Sequence, residues 1–310
     1  MNKFATVIMA AAAATLLVNG CSKSDSSKIK VGFSQVGAES DWRKASTESI
    51  KGEAAKRANI ELTFSDAQQK QENQIKAIRN FITKGVDVIS FSPVVATGFE
   101  DVLKEAKDAE IPVVLFDRAV DVSEDGLYVS FIGSDFVEEG RRAGRWVVEN
   151  VGENANVAEL VGTVGSAPAI DRKKGFEEII KSQSGDFTRA KGKEVMESFL
   201  KSPEADQIQV LFAHNDDMAL GAIQAIEEAG KKPGKDIIII SIDGVKSMFE
   251  AILAGKANCT VECNPLIGAQ LFDVIEKIHA GESVPSYIPS QEGVYDTKNI
   301  TKEVVDGRIY

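Results

Sequence analysis

Residues 28–66 read KIKVGFSQVGAESDWRKASTESIKGEAAKRANIELTFSD, and the order of elements in this stretch decides the fold. Residues 28–35 and 60–66 are short runs with β-branched and aromatic residues, which favour strands. Between them, Trp42–Ala58 predicts a helix whose small and apolar residues share one side, namely Ala45, Ile50, Ala54 and Ala55. A strand, a helix and a second strand in this order are typical of two parallel strands joined by a crossover helix.

The alternation of strands and helices continues beyond this unit. Helices are predicted at Lys70–Lys84 and Gly98–Ala109, and strands at 86–93 and 111–117, which completes one doubly wound half. After a connector at 128–135 the pattern starts again. The second half is predicted to contain helices at Val137–Asn150, Asp171–Lys181, Thr188–Leu200, Asp216–Ala229 and Val245–Ala254, and strands at 157–162, 209–213, 236–243 and 258–262.

We therefore predict an α/β protein with two doubly wound parallel-sheet lobes joined by a hinge. The N-terminal lobe is expected to comprise residues 29–133 and 264–290, because a helix at 266–280 returns to it. The C-terminal lobe is expected to comprise residues 134–263 and 291–310. Only Ser-Gln-Ser separates Lys181 from Gly185, so this second lobe is expected to have one strand shortened or missing, at an edge of its sheet.

The N-terminal sequence predicts that the protein is exported from the cytoplasm. Residues 1–20 carry one lysine, no acidic residue and an apolar run too short to span a bilayer, as in a secretory signal peptide. Val18-Asn19-Gly20-Cys21 resembles a bacterial lipobox, which predicts lipidation of Cys21; ordinary cleavage nearby is the alternative. Residues 21–28 form a polar tether. The expected location is the periplasm or the cell envelope, with contact to a membrane only through this lipid.

Composition narrows the class of partner. The 310 residues include 36 basic and 47 acidic side chains, a net charge of −11, which argues against nucleic acid as a partner. With two histidines in the chain, neither a metal site nor a catalytic triad is predicted, and no cofactor is expected. Cys259 and Cys263 lie on one predicted strand with Cα atoms about 13 Å apart. They cannot form a disulfide in that geometry and are predicted to be buried thiols.

Polar residues follow most of the predicted strands. In open α/β sheets a ligand binds at the carboxyl ends of the strands. The groups found there are Glu39–Arg43, Asp117, Arg118, Asp171, Arg172, His214–Asp217, Asp243 and Glu262. Carboxylates, an amide and guanidiniums can pair with sugar hydroxyls, and Trp42 or Phe187 can cover an apolar sugar face. Asp171 and Asp216 have an alternative role as helix N-caps, which we expect for Asp216.

These strand ends, together with several long blocks, resemble the ribose/galactose-type periplasmic sugar-binding proteins of ABC importers, and among them the galactofuranose binders. The blocks that carry the resemblance lie within about 29–280 and include VGFSQVGAESDWR, DAQQKQENQIKAIRNF, VLKEAKDAEIPVVLFDR, AIDRKKGFEE, SQSGDFTRAKGKEVMES and AHNDDM. The resemblance implies the type I periplasmic binding protein fold, which is shared with the effector domains of lactose-repressor-type regulators.

The resemblance also implies a set of sugar contacts. The first-loop residues Glu39, Ser40, Asp41, Trp42 and Arg43 are expected to face the sugar. Asp117 and Arg118 would bind it from the N-terminal lobe, and Arg172, Asn215 and Asp243 from the other lobe. Phe187 resembles a stacking position, and Glu262 a polar contact at the hinge. The sequence departs from the pattern at Asp41 and Phe136, in a shorter stretch before Ser182, and in the tail from Gly281.

The resulting functional prediction is an extracytoplasmic solute-binding protein that captures a monosaccharide, galactofuranose or galactose, and delivers it to an ABC permease. We expect a monomer. We also expect no catalytic activity, since neither a nucleophile elbow nor a phosphate-binding loop is present in the sequence. Two alternatives remain open. The chain could serve as a sugar sensor for a chemoreceptor or kinase, or as the effector module of a lactose-repressor-type regulator, although a signal sequence stands where a DNA-binding region would be needed.

Overall fold

Two β-sheets organise the protein, seen here in a computed structural model that describes residues 28–152, 155–177, 187–203 and 205–310. The strands are β1 (Ile29–Gln35), β2 (Ile60–Asp66), β3 (Val88–Phe91), β4 (Val113–Asp117), β5 (Ser130–Gly133), β6 (Val157–Leu160), β7 (Val210–Ala213), β8 (Ile238–Asp243), β9 (Cys259–Glu262), β10 (Tyr287–Pro289) and β11 (Val294–Asp296). The helices are α1 (Asp41–Lys56), α2 (Gln71–Lys84), α3 (Glu100–Asp108), α4 (Phe136–Asn150), α5 (Ala167–Glu177), α6 (Arg189–Leu200), α7 (Asp216–Glu228), α8 (Lys246–Leu253), α9 (Gly268–His279) and α10 (Lys302–Gly307).

The first sheet has the strand order β10-β5-β4-β3-β1-β2, and all its pairings are parallel. Its strands are apolar because helices cover both faces. One face packs on α1 and α9 around Phe33 and Leu271, and the other packs on α2 and α3 around Phe81 and Phe99. Together these elements form the N-terminal lobe.

The second sheet has the order β11-β9-β8-β7-β6, with β11 antiparallel to β9 and the other pairings parallel. In the described part of the chain β6 is therefore an edge strand. The segment in which we predicted a shortened or missing strand, 178–186, lies outside the described residues. The helices α4 to α8 and α10 belong to this lobe, with Phe176, Phe212 and Phe249 fully buried in its core.

The described chain passes between the lobes between β5 and α4, between β9 and α9, and between β10 and β11. These crossings meet at Glu292. Its carboxylate accepts a hydrogen bond from the Ser134 hydroxyl and, at 3.5 Å, one from the Asn264 backbone N–H. The hinge is thus a hydrogen-bonded junction and not a set of separate linkers.

The prediction that Asp216 caps a helix is wrong, and the alternative of a cap at Asp171 does not hold either. Helix α7 is capped by Asn215, whose side chain accepts from the Met218 N–H, and Asp216 is the first residue inside the helix. Asp171 lies within α5, which begins at Ala167. The two thiols are confirmed as free and buried within the described residues: Cys259 and Cys263 are 0% and 2% exposed.

The predicted signal peptide, Cys21 and most of the tether lie outside the described residues. Among the helices that the structure describes, none combines the length and the apolar character needed to cross a membrane.

Candidate functional site

A cavity lies between the lobes, at the carboxyl ends of the strands of both sheets. It encloses about 320 Å³ of space between its lining atoms, including the part that opens to solvent. The cavity is lined by Glu39, Ser40, Trp42, Arg43, Asp117, Arg118, Phe136, Pro168, Arg172, Phe187, Asn215, Asp243 and Cys263. The polar side chains in this set are nearly inaccessible to solvent; Arg43 and Arg172 are each 3% exposed.

Arg43 organises the face that belongs to the N-terminal lobe. Its Nε donates to Glu39 Oε1 at 3.1 Å, and its Nη1 donates to Asp117 Oδ2 at 2.7 Å. Nη1 also lies 3.2 Å from Gln35 Oε1 and 3.3 Å from Ser92 Oγ, which itself donates to Asp117. Burial opposes the charge on Arg43, but Asp117 and Glu39 outweigh it and raise the pKa of the guanidinium above its usual value. These groups therefore hold one another in place.

Arg118 is less completely paired than Arg43. Its Nη1 donates to the backbone carbonyls of Pro93 and Val94 at 3.3 and 3.2 Å. Within the described part of the chain, its buried Nε has no hydrogen-bond partner, and neither does Oε2 of Glu39. Burial and the neighbouring Arg43 lower the pKa of Arg118 to about 10, which leaves it charged at neutral pH. A donor and an acceptor on this face are thus available to a ligand.

Arg172 is the principal cation of the opposite face. Its Nε donates to Glu139 Oε2 at 2.7 Å, and its Nη1 donates to the His214 carbonyl at 2.7 Å. Its Nη2 is 3.9 Å from Asp243 Oδ1, beyond hydrogen-bond distance. Arg172 is therefore anchored on two sides and directs its third nitrogen towards Asp243.

The Asp243 carboxylate faces the cavity from the end of β8. Burial raises the pKa of this carboxyl well above its usual value, although Arg172 acts in the opposite direction. The backbone angle φ is 130° at Asp243, 64° at Asp117 and 62° at Phe187. Residues with side chains rarely adopt such positive angles, and strain of this kind is concentrated at functional sites.

Aromatic rings close the cavity. The Phe187 ring lies against Gly162, where an added Cβ would be 1.8 Å from its Cζ atom, so only glycine fits there. Arg172 lies 5.1 Å from the Phe136 ring centroid and 5.9 Å from that of Phe187. Trp42 Nε1 donates to the Cys263 carbonyl across the lobes at 2.6 Å. The rings offer apolar surface beside the charged groups, as a sugar with polar edges and C–H faces requires.

Asn215 combines a structural role with a place in the cavity. Its Oδ1 caps α7, and its Nδ2 donates to the Phe187 carbonyl at 3.0 Å. An amide can form further hydrogen bonds through its second N–H and its second lone pair. Asn215 is therefore still able to contact a ligand.

Two of the side chains predicted to contact the sugar, both in the described part of the chain, do not line the cavity. The Asp41 carboxylate accepts from Lys44 Nζ at 3.0 Å and lies 3.5 Å from Arg189, at the rim between the lobes. Glu262 instead pairs with Arg308 Nη1 at 2.7 Å. Asp41 is the first residue of α1 and points away from the face that carries Arg43, whereas Glu262 faces the C-terminal tail.

The structure adds residues that the sequence analysis did not assign to the site. Phe136, Pro168 and Cys263 line the cavity, and Glu139 supports Arg172. Phe136 closely follows a strand end, so the strand-end rule could have identified it. Glu139 lies inside α4, where no local sequence signal distinguishes it from a surface glutamate.

One group of possible metal ligands occurs within the described residues: Glu139, Cys263 and Glu292 have ligand atoms within 4.8 Å of one another. Metals bind the thiolate form of cysteine. Burial raises the pKa of the Cys263 thiol well above its usual value. Glu139 is already paired with Arg172, and Glu292 with Ser134. The group is therefore better described as part of the hinge than as a metal centre.

The lining of the cavity contains equal numbers of acidic and basic side chains, and burial disfavours the charged form of one of the acids, Asp243. Among the described lining residues, Glu39, Asp117 and Asp243 stand against Arg43, Arg118 and Arg172. An ionic ligand would leave a buried charge without a partner, which is costly. The lining therefore suits a small neutral ligand with several hydroxyl groups and an apolar face.

Comparisons with known proteins agree with this chemistry. The Escherichia coli K12 galactofuranose-binding protein YtfQ is 52% identical over 289 residues, covering 90% of this chain and 91% of that protein. A crystal structure from Mycobacterium smegmatis in complex with β-D-fucofuranose has 52% identity and a TM-score of 0.83, covering 88% of this chain and 92% of that one. The binding-protein component of the arabinose ABC transporter from Shewanella sp. ANA-3 was solved bound to α- and β-L-arabinofuranose. It has 47% identity and a TM-score of 0.85, and the match covers 91% of this chain and 99% of that one.

The family comparison covers most of the chain. The family model described as a periplasmic binding protein domain matches residues 31–283. This range includes the strands from β1 to β9, apart from the first two residues of β1, and all of the residues that line the cavity. The chain therefore belongs to the periplasmic binding protein family.

Proposed function

We propose that this protein captures a neutral monosaccharide in its furanose form, with galactofuranose as the first candidate, and delivers it to an ABC permease. The observation that carries the proposal is the cavity between the lobes, in which Arg118 Nε, Glu39 Oε2 and the Asp243 carboxylate are available for sugar hydroxyls. The relatives named for galactofuranose, or bound to fucofuranose and arabinofuranose, support a five-membered ring.

Capture proceeds by closure of the lobes about the hinge. Several hydrogen bonds join the lobes in the present arrangement. Trp42 Nε1 donates to the Cys263 carbonyl, the Asp41 backbone N–H donates to Asp217 Oδ2 at 2.9 Å, and the Ala96 N–H donates to the Gly165 carbonyl at 2.8 Å. A sugar that binds both faces adds to these contacts and stabilises the closed form, which the permease can then recognise.

Membership of this family implies a periplasmic or otherwise extracytoplasmic location. Our proposal adds that Cys21 carries a lipid, that the protein is a monomer and that it has no catalytic turnover or cofactor. Division of the chain into lobes at 133/134, 263/264 and 290/291 is part of the same proposal. Intact-mass analysis of the membrane fraction tests the lipid: a chain that begins at lipid-modified Cys21 supports it, and a soluble chain without lipid contradicts it.

The ring form is tested with two sugars that cannot interconvert. The furanose ring of 1,4-anhydrogalactitol and the pyranose ring of 1,5-anhydrogalactitol are both neutral, and galacturonate serves as a charged control. Thermal shift and titration calorimetry with the purified protein should show binding of the furanose, weaker binding of the pyranose and none of galacturonate. At 100 times its dissociation constant a ligand adds about 2.7 kcal/mol of stability, which is easily measured. Preference for galacturonate, or no response to any neutral monosaccharide, would contradict the proposal.

A further inference from the structure

Residues 243–245 form a turn that presents Asp243 to the cavity. Hydrogen bonds from other parts of the C-terminal lobe hold this turn in place. The Asp243 carbonyl accepts from the Cys263 N–H at 3.1 Å, and the Gly244 N–H donates to Thr260 Oγ1 at 3.2 Å. The Val245 N–H donates to Asp216 Oδ2 at 2.7 Å. The Gly244 carbonyl, in the middle of this turn, accepts from Arg308 Nε at 2.6 Å.

Arg308 directly follows helix α10, and several contacts hold its side chain in place. Its Nη1 pairs with Glu262 Oε1 at 2.7 Å, and both side chains are 12% exposed. Its guanidinium carbon lies 4.7 Å from the Phe249 ring centroid and 4.1 Å from that of Tyr310. A planar cation fixed on a carboxylate and between aromatic rings loses little further entropy when it forms one more hydrogen bond.

The backbone just before the carbonyl that Arg308 contacts is strained at Asp243. Gly244 has φ of 78°, and a Cβ added there would lie 2.5 Å from Arg308 Nη2. The preceding residue, Asp243, has φ of 130° although it carries a side chain. Glycine adopts its angle freely, but a residue with a side chain keeps such an angle only when the surroundings fix it. Without Arg308, the Gly244 carbonyl would lose its hydrogen bond, and the turn could relax towards an unstrained conformation.

We propose that Arg308 is a positioning residue for ligand binding, which fixes the 243–245 turn and so aims the Asp243 carboxylate at a sugar hydroxyl. The inference rests on the proposed function, because the orientation of Asp243 affects affinity only if a ligand binds in the cavity. It also gives Glu262 a role: this residue acts through Arg308 and not through the sugar. Simple anchoring of the C-terminal tail to the lobe is the competing explanation for the same contacts.

A double-mutant cycle separates the two explanations. The affinity for 1,4-anhydrogalactitol is measured by calorimetry for wild type, Arg308→Met, Asp243→Ala and the double variant. If Arg308 acts through Asp243, Arg308→Met weakens binding about tenfold, and it adds less than about twofold when Asp243 is already alanine. Arg308→Lys should recover part of the loss, since an ammonium group can donate to the Gly244 carbonyl.

Arg57 provides the matched control. It pairs with Glu53 and Asp273 at 2.7 and 2.6 Å, lies 5.7 Å from the Phe272 ring centroid and does not line the cavity. Arg57→Met should lower the melting temperature and leave the affinity unchanged. If Arg308→Met does not fold, Glu262→Gln, which removes the charged partner of Arg308, takes its place in the cycle.

The outcomes distinguish this inference from the proposed function. If wild type binds the sugar but the losses at positions 308 and 243 multiply, or Arg308→Met binds like wild type, the positioning role is overturned while sugar binding stands. If wild type binds no neutral sugar, the proposed function fails and the positioning role fails with it.

Discussion

The two faces of the cavity are built on different principles. On the N-terminal lobe, Arg43 joins Glu39 and Asp117, all three of which line the cavity, in one buried network. On the C-terminal lobe, Arg172 and Asp243 approach each other only to 3.9 Å, and they are supported by Glu139 and Arg308, which do not line the cavity. The first face is therefore preorganised mainly by ion pairs between residues that line the cavity. The second face is preorganised mainly by residues that pack behind the lining.

The difference has an energetic consequence. A buried ion pair that loses one partner is strongly destabilised, because the other charge remains without compensation. Substitutions on the N-terminal face should therefore affect folding and binding together. On the C-terminal face, the ligand groups and the supporting groups can be altered separately.

Arg43→Ala should have the largest effect. The substitution leaves the buried carboxylates of Glu39 and Asp117 without their main partner, and we expect a loss of about 3–5 kcal/mol in the free energy of unfolding, with no measurable sugar binding. Urea denaturation and calorimetry measure the two effects. Arg57→Met, which removes a more exposed ion-pairing arginine of the same lobe, should lose less stability and retain affinity. An Arg43→Ala protein of wild-type stability would show that the network does not organise this face.

Asp117→Asn and Asp243→Asn provide the sharpest contrast between the faces. Asp117→Asn weakens the 2.7 Å charged hydrogen bond with Arg43 and should lower the melting temperature as well as the affinity. Asp243→Asn removes a carboxylate whose charged form is disfavoured by burial, so the melting temperature at pH 8 should stay the same or rise. Its affinity should fall about 10–100-fold, as for a lost charged hydrogen bond of about 1.5–3 kcal/mol. Equal loss of stability in both variants would contradict the distinction.

The hinge between the faces should respond to pH through Glu292. Burial, with the nearby Glu139, raises the pKa of the Glu292 carboxyl to about 8, whereas Ser134, Asn264 and Arg172 act in the opposite direction. An acid whose folded pKa lies above its unfolded value of about 4.3 contributes stability at low pH that is lost as the pH rises through the folded value. Relative to Glu292→Gln, wild type should therefore lose stability from pH 5 to pH 9. A constant difference between the two proteins over this range would contradict the shift.

The rim of the cleft should give the smallest effect. Arg189 lies 2.8 Å from Asp217 and 3.5 Å from Asp41 of the opposite lobe, and the side chains of Arg189 and Asp41 are 48% and 45% exposed. We expect Arg189→Ala to weaken sugar binding about two- to fivefold at low salt, because exposed pairs contribute little. Salt screens such pairs, so the difference from wild type should shrink at about 1 M salt. Lys44→Ala, which removes a partner of Asp41 on the same lobe, should leave affinity unchanged.

Sequence reasoning located the N-terminal face better than its counterpart. Parallel strands end at one edge of a sheet, so residues that follow strands, such as Arg43, Asp117 and Arg118, could be assigned to one site from their spacing alone. The supports of the C-terminal face could not, because Glu139 and Arg308 lie 33 and 46 residues from Arg172 and Glu262, the groups they contact. Only tertiary packing brings them together.

The sequence did not show which of two adjacent polar residues caps helix α7. Asn215 and Asp216 can both cap a helix in principle. The extended backbone of Asn215, with φ of −153°, makes it the cap. Asp216 instead accepts hydrogen bonds from Ser241, Thr260 and the Val245 N–H inside the lobe. Asp41 lies outside the cavity lining for a different reason: a helix turns by about 100° per residue, so Asp41 and Arg43, two positions apart, point in different directions.

A crystal structure of the protein with 1,4-anhydrogalactitol would show whether both faces of the cavity bind the sugar. It should show the furanose ring in the cavity beside Phe187, with sugar hydroxyls within about 3.2 Å of Arg118 Nε on one face and of the Asp243 carboxylate on the other. The Arg43 network and the Arg308 contact with Gly244 should be unchanged. A sugar bound outside the cleft, or bound in it without contact to either Arg118 or Asp243, would contradict the account.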